Sequence, residues 1–164
     1  MPLVGIIAKK RDVLAIKREL PNCNVDIIEI TKDSIKNIKN VVFDDLIILE
    51  DIKLELNEYQ YMNELISKIK YLIINSDINI QCLNNLEIEK PIKVITFGFN
   101  TKATITISSV KEEKIIVCLQ RDIEKHNNEI IETQEKEIEI DRVSNRKIYN
   151  KLVKFIIKEL HNLW

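Results

Sequence analysis

The sequence predicts a single α/β domain over residues 1–164: a Rossmann-like, mostly parallel sheet with helices on both faces, antiparallel strands near the C-terminal end, and a C-terminal helix. Three observations predict it. Through the first half, short runs of Ile, Leu and Val alternate with segments of helical spacing, the pattern of parallel strands buried on both faces. After residue 93 period-two alternation takes over, which suits antiparallel strands. The closing stretch repeats apolar residues along one helical face.

The elements follow in chain order. Residues 3–8 (LVGIIA) read as a buried strand. Over 11–20, Val13, Leu14, Ile16 and Leu20 have helical spacing, and Pro21 stops the helix. A strand is expected at 25–30, then a weak helix or loop in TKDSIKNIKN, then a buried strand at 46–49. Residues 57–69 place Tyr61, Leu65 and Ile69 at steps of four, a helix, and YLIIN at 71–75 is the next strand. KVITFG (93–98) closes on one of only two glycines. ATITISSV (103–110) alternates as a half-exposed strand, and IIVCLQR (115–121) is its antiparallel partner across the KEEK turn. Residues 122–137 read as a charged, irregular excursion, and EIEI (137–140) as an edge strand. In the final helix Ile148, Leu152, Phe155, Ile156, Leu160 and Leu163 share a face. Its neighbour Trp164 needs a packing partner, within the chain or across a dimer.

Composition excludes several classes. Hydrophobic residues make up 45% and charged residues 31%, so the chain can build a core. A net charge of −1 gives no basic field for nucleic acid. The weight of Ile, Lys and Asn reads as AT-rich codon bias, bacterial in character. No run approaches the roughly 18 apolar residues of a membrane span, and the start lacks a signal peptide's basic region. Cys23, Cys82 and Cys118 are odd in number with no CxxC pair; Cys82 and Cys118 are expected as packed, reduced thiols, consistent with the cytoplasm.

Candidate chemistry is sparse. The strand–turn–helix opening has the order of a phosphate loop, but after Gly5 no second glycine and no Lys-Ser/Thr pair follow. Lys9, Lys10 and Arg11 either draw an anion to the helix start or form a solvated turn. Neither His126 nor His161 sits where a base or metal ligand is expected, so no catalytic residue, metal site or cofactor is assigned. Asn75 and Asp77 follow a strand at the carboxyl end where ligands bind in open sheets; the plainer reading is a helix N-cap or an Asx turn. Ser108, Ser109, Gln120 and Arg121 form a polar group on neighbouring strands.

The order YLIINSD, KVITFGFNTKATITISSV, KIIVCLQ, polar excursion, IYNKLVKFIIKEL resembles the central domain of the Mur ligases, ATP-dependent enzymes that add amino acids to peptidoglycan precursors. Their relatives include folylpolyglutamate and cyanophycin synthetases. The resemblance implies a Rossmann-like fold with antiparallel strands after a T-[FY]-G turn. It also implies where catalysis has been lost. Ala8, Lys9, Lys10, Arg11 and Asp12 stand in place of the family's phosphate loop. The family's H-N-x-x-N falls on Arg146, Lys147, Ile148, Tyr149 and Asn150, where only Asn150, the adenine-contacting position, matches. The magnesium-binding carboxylate and histidine have no counterpart.

The expectation is a stand-alone, degenerate, non-catalytic binding or regulatory module linked to cell-wall precursor metabolism, without ATP-dependent ligase activity. Its partner is a protein, or a weakly bound nucleotide or cell-wall precursor, held by Lys9, Lys10, Arg11, Asn75, Asp77 and Asn150. The alternatives are a small enzyme with a rebuilt site, or a homodimeric scaffold pairing through ATITISSV or the C-terminal helix.

Overall fold

The computed structural model of the protein describes residues 1–21 and 23–164. Strand β1 (Leu3–Ile7) leads into α1 (Lys10–Arg18), β2 (Asp26–Glu29), α2 (Lys32–Ile38), β3 (Asp45–Ile48), α3 (Tyr59–Ile66) and β4 (Tyr71–Asn75). Strands β5 (Lys93–Gly98), β6 (Ile105–Val110) and β7 (Lys114–Leu119) follow. The short strands β8 (Ile123–Glu124) and β9 (Ile130–Ile131), then β10 (Gln134–Glu139) and α4 (Asn145–His161), complete the chain.

Eight strands form one sheet in the order β10-β7-β6-β5-β4-β3-β1-β2. From β2 to β6 neighbours run parallel; β6–β7 and β7–β10 are antiparallel. The alternation of β1 shows how two faces are built. Val4 and Ile6 join a core with Val13 and Ile16 of α1 and Leu152 and Ile156 of α4. Ile7 joins the opposite core with Ile35 of α2 and Met62 and Leu65 of α3. Each fully buried Leu or Ile on these faces stabilises the fold by roughly 2 kcal/mol. Gly5, on the second face, is needed for packing: a Cβ there would stand 2.6 Å from Ile30 Cδ1 and 3.2 Å from Phe43 Cδ1. The glycine that seemed to open a phosphate loop therefore lies inside a strand and serves the core.

Helix α2 forms firmly where the sequence suggests a weak helix or loop. Thr31 Oγ1 accepts from the Ser34 N–H, and Ser34 Oγ accepts from the Thr31 N–H, satisfying two orphan donors at once. The excursion after β7 is also more ordered than expected. β8 and β9 pair with each other, and β10 begins at Gln134 and forms the sheet edge. β6 lies between β5 and β7, paired along β7 but with β5 only at Ile105 and Thr106. Among the described residues no helix is long and apolar enough to cross a membrane.

α4 starts at Ser144, whose Oγ accepts from the Lys147 N–H at 3.3 Å. It stops at Asn162, which adopts the left-handed conformation with φ 54°. The expected apolar face holds for Ile148, Leu152, Phe155, Ile156 and Leu160, all buried, whereas Leu163 lies past the end of the helix and is half-buried. Trp164 is exposed and meets Phe155 edge-on, ring centres 6.2 Å apart.

Candidate functional site

Parallel strands deliver their carboxyl ends to one edge of a sheet, and loops there are free to diverge. At this edge β1, β3 and β4 end beside the start of α1 and the first turns of α4. A cleft of about 200 Å³ opens between them, lined by Arg11, Asp12, Glu50, Asn75, Arg146, Tyr149 and Asn150, among others.

Asp12 is its centre. The residue is 2% exposed, in the first turn of α1, where the helix dipole favours a negative charge. Arg146 Nε donates to Asp12 Oδ1, and Asn150 Nδ2 donates to the same oxygen at 3.2 Å. Arg146 and Asn150 are four apart on α4, so one helical turn delivers both. Arg11 Nε lies 3.7 Å from the other Asp12 oxygen. Two guanidinium groups, both substantially exposed, thus flank one buried carboxylate. The carboxylate is thus held by side chains of α4 and by Arg11.

The second feature is Asn150 Oδ1. Asn150 is 5% exposed, and among the described residues its carbonyl oxygen has no hydrogen-bond partner. A buried acceptor left unpaired costs about 1–3 kcal/mol. Asn150 lines the cleft, so a small turn of its side chain would present this acceptor to a ligand that brings a donor.

Asn75, also buried, is held by its neighbours. Its Nδ2 donates to the Leu49 carbonyl at 3.2 Å, and its Oδ1 accepts from the Asp77 N–H at 3.1 Å, forming the expected Asx turn. Asp77 in turn accepts from the Phe99 N–H at 2.6 Å, the Asn100 N–H at 2.8 Å and the Tyr149 hydroxyl at 2.8 Å. Burial and the Asp77 carboxylate push the Tyr149 hydroxyl up to about 12.

The structure therefore brings Arg11, Asn75 and Asn150 together on one cleft. Lys9 pairs with Glu50 at 3.4 Å beside it, and Lys10 is exposed on the first turn of α1. Asp77 spends its carboxylate on the turn that follows β5. In the polar group on neighbouring strands, Ser108 turns its hydroxyl to the Ile116 carbonyl, while Gln120 and Arg121 are exposed. Sequence reasoning passed over Asp12, Glu50 and Tyr149 as site residues, and took Arg146 only as a mismatch to a motif. An acid in a first helical turn was the one local signal for Asp12.

At the opposite, amino edge the two histidines meet. Asp45, fully buried at the start of β3, accepts from His126 Nε2 at 2.8 Å and from His161 Nε2 at 2.6 Å. The imidazoles stack with centres 4.4 Å apart and planes 13° from parallel. Burial pulls the Asp45 carboxyl upward, but the hydrogen bonds and charges of His126 and His161 hold it below its ordinary value. Sequence reading expected neither histidine to sit in such a setting. The three donor groups lie within 4.8 Å of one another. An ion bound to an imidazole nitrogen lies near that ring's plane, and two stacked, near-parallel planes do not share such a point. As it stands, the cluster is a hydrogen-bonded clamp joining β3, the β8–β9 hairpin and the end of α4.

Compared with models of known protein families and with curated proteins, the chain matches none.

Proposed function

We propose that the protein is a non-catalytic binding module of the Mur-ligase-like kind, and that the cleft at the carboxyl edge is its ligand site. The observation that carries this reading is Asn150, which lines the cleft and keeps a buried, unpaired Oδ1 that a small turn of its side chain would offer to a ligand. It calls for a ligand with an N–H or O–H donor, as a nucleobase or the amide of a cell-wall precursor has. The resemblance sets Asn150 at the family's adenine-contacting position, which agrees with a nucleotide bound by its base.

Phosphoryl transfer depends on positioned donors and metal around the phosphates. Here the Asp12 carboxylate, held by Arg146, puts negative charge in the cleft beside the helix start, and the lone nearby glycine is enclosed in the core. Binding without transfer follows. The small cleft and the carboxylate within it favour a nucleoside over a triphosphate.

Isothermal titration with adenosine, ADP, ATP and a UDP-sugar tests the reading. Heat is expected with at least one of them, no stronger for ATP than for adenosine, and lost in Asn150→Ala. No heat at millimolar ligand removes the proposal. So does turnover of ATP by the pure protein that is abolished by changing Lys9 or Lys10.

A further inference from the structure

We propose that the free edge of β10, with the groove between it and α4, takes an extended peptide segment with alternating basic residues as an added strand. β10 is the last strand of the sheet on its side, so one row of its backbone groups has no strand beside it. The register identifies that row. Ile140 N–H donates to the Glu113 carbonyl at 2.9 Å, which continues the β10–β7 pairing of Ile138 with Ile115 and Lys136 with Val117. In an antiparallel ladder bonded and non-bonded pairs alternate. Residues 138 and 136 therefore spend their backbone groups on β7, and Glu135, Glu137 and Glu139 turn theirs outward.

Side chains give the edge two chemistries. Glu135, Glu137 and Glu139 are exposed on one face. Lys114 neutralises Glu137 at 2.6 Å, and the acidic strip continues through Glu112, Glu113 and Asp141 with Arg142 beside it. A groove of about 640 Å³ runs between β10 and α4, lined by Ile138, Phe155 and Trp164 together with the three glutamates, Lys136, which pairs with Glu159 and lies 4.8 Å from the Trp164 ring centre, and Lys residues of α4. Those lysines are engaged: Lys151 and Lys154 pair with Glu19 at 2.7 and 3.2 Å, and Lys158 lies 4.3 Å from the Trp164 ring centre. An added strand presents alternate side chains to the two faces. Lys or Arg at every second position answers the glutamates, and aliphatic residues between them cover Ile138, Phe155 and the ring of Trp164, which is 67% exposed.

A second copy of this chain does not fit the same edge. Two β10 strands related by a two-fold axis normal to the sheet pair residues of like parity. Every such register sets one glutamate of 135, 137 and 139 against another, and like charges directly opposite are destabilising.

Trp164 is the only tryptophan, so its emission reports on the groove. The probe is a short capped peptide of Lys alternating with Val, compared with its Glu-for-Lys counterpart. Saturable change of Trp164 emission is expected with the Lys peptide alone, with slowed amide exchange at Glu135, Glu137 and Glu139. Glu137→Pro deletes an outward N–H that β7 does not use, so folding is kept and peptide binding is lost. The double change Glu135→Lys with Glu139→Lys weakens binding about tenfold or more by reversing two charge pairs. The proposal fails if the Lys peptide leaves Trp164 unchanged, if the Glu peptide binds as well, or if Glu137→Pro binds normally. It fails too if sedimentation shows self-association that Glu137→Pro abolishes.

Discussion

Asn150 reaches across 138 positions of sequence to donate to Asp12 at 3.2 Å, and its own carbonyl oxygen is left buried and unpaired. The two residues are equally hidden, yet they stand in different energetic positions. Asp12 is a charge whose partners are supplied by Arg146, Arg11 and Asn150. Asn150 carries one satisfied group and one that is not.

Truncating each should therefore cost different amounts. Asp12→Ala strands Arg146, and because Arg146 is half-exposed the cost is expected at about 1–3 kcal/mol rather than the larger value of a fully buried pair. Asn150→Ala loses one hydrogen bond but also removes the orphan acceptor, so its cost is expected within about 1 kcal/mol of zero before packing loss. Urea midpoints of the two variants give the comparison, and Asn150→Ala the more costly of the two would contradict it.

Acid stability should depend on Asp45. Its folded-state pKa is depressed, so its contribution is present above the unfolded value of about 3.9 and is lost as pH falls through the folded value. Wild type should be well ahead of Asp45→Asn at neutral pH, with the gap closing below about pH 4. Denaturant midpoints from pH 7 to 3 measure this; a gap that stays constant into acid would remove Asp45 as the cause.

Gly98 should be the less replaceable glycine. Its φ is +146°, and a Cβ there would lie 2.4 Å from Asp77 Oδ2. That carboxylate is fixed by the Phe99 and Asn100 N–H groups and cannot withdraw without releasing them. Gly98→Ala is expected to cost about 2–4 kcal/mol, combining backbone strain with a lost turn. At Gly5 the nearest obstacle is the far end of the Ile30 side chain, so Gly5→Ala should cost about 1–3 kcal/mol. Thermal melts of both variants rank them.

The cysteines should react unequally. Cys82 is fully buried, and burial together with Asp51 raises its thiol to about 12. Cys23 and Cys118 are only half-buried. A thiol reagent at pH 8 should modify Cys23 and Cys118 in the folded protein and reach Cys82 only on unfolding, as peptide mass mapping would show. Early labelling of Cys82 would mean that the loop around Asp51 opens readily.

Much of the fold was legible because local pattern and tertiary role agree. YLIIN and KVITFG form strands over the residues their composition marks, Tyr71–Asn75 and Lys93–Gly98. β10 was placed late because its first residues, QEKE, carry no apolar period. One face meets solvent, and the other turns Lys136 toward Glu159 and the ring of Phe155. The histidine cluster had no local signal at all. His126 and His161 lie 81 and 116 positions from Asp45, and only the folded sheet brings them to it. Asp12 and Arg146 were hidden for the same reason, being 134 positions apart.

α4 is fastened at both ends, by Arg146 to Asp12 at one edge of the sheet and by His161 to Asp45 at the other. Its 17 residues measure about 25 Å, so the helix lies like a strap along one face of the sheet from edge to edge. The elements it holds, β1, α1 and β3, leave the ribosome well before it does. Until that helix emerges, Asp12 and Asp45 have no basic partner from it, and one flank of the young sheet stays bare. A nascent chain stalled before residue 145 should thus be prey for chaperones and proteases, and emergence of α4 should close this sheet in one step.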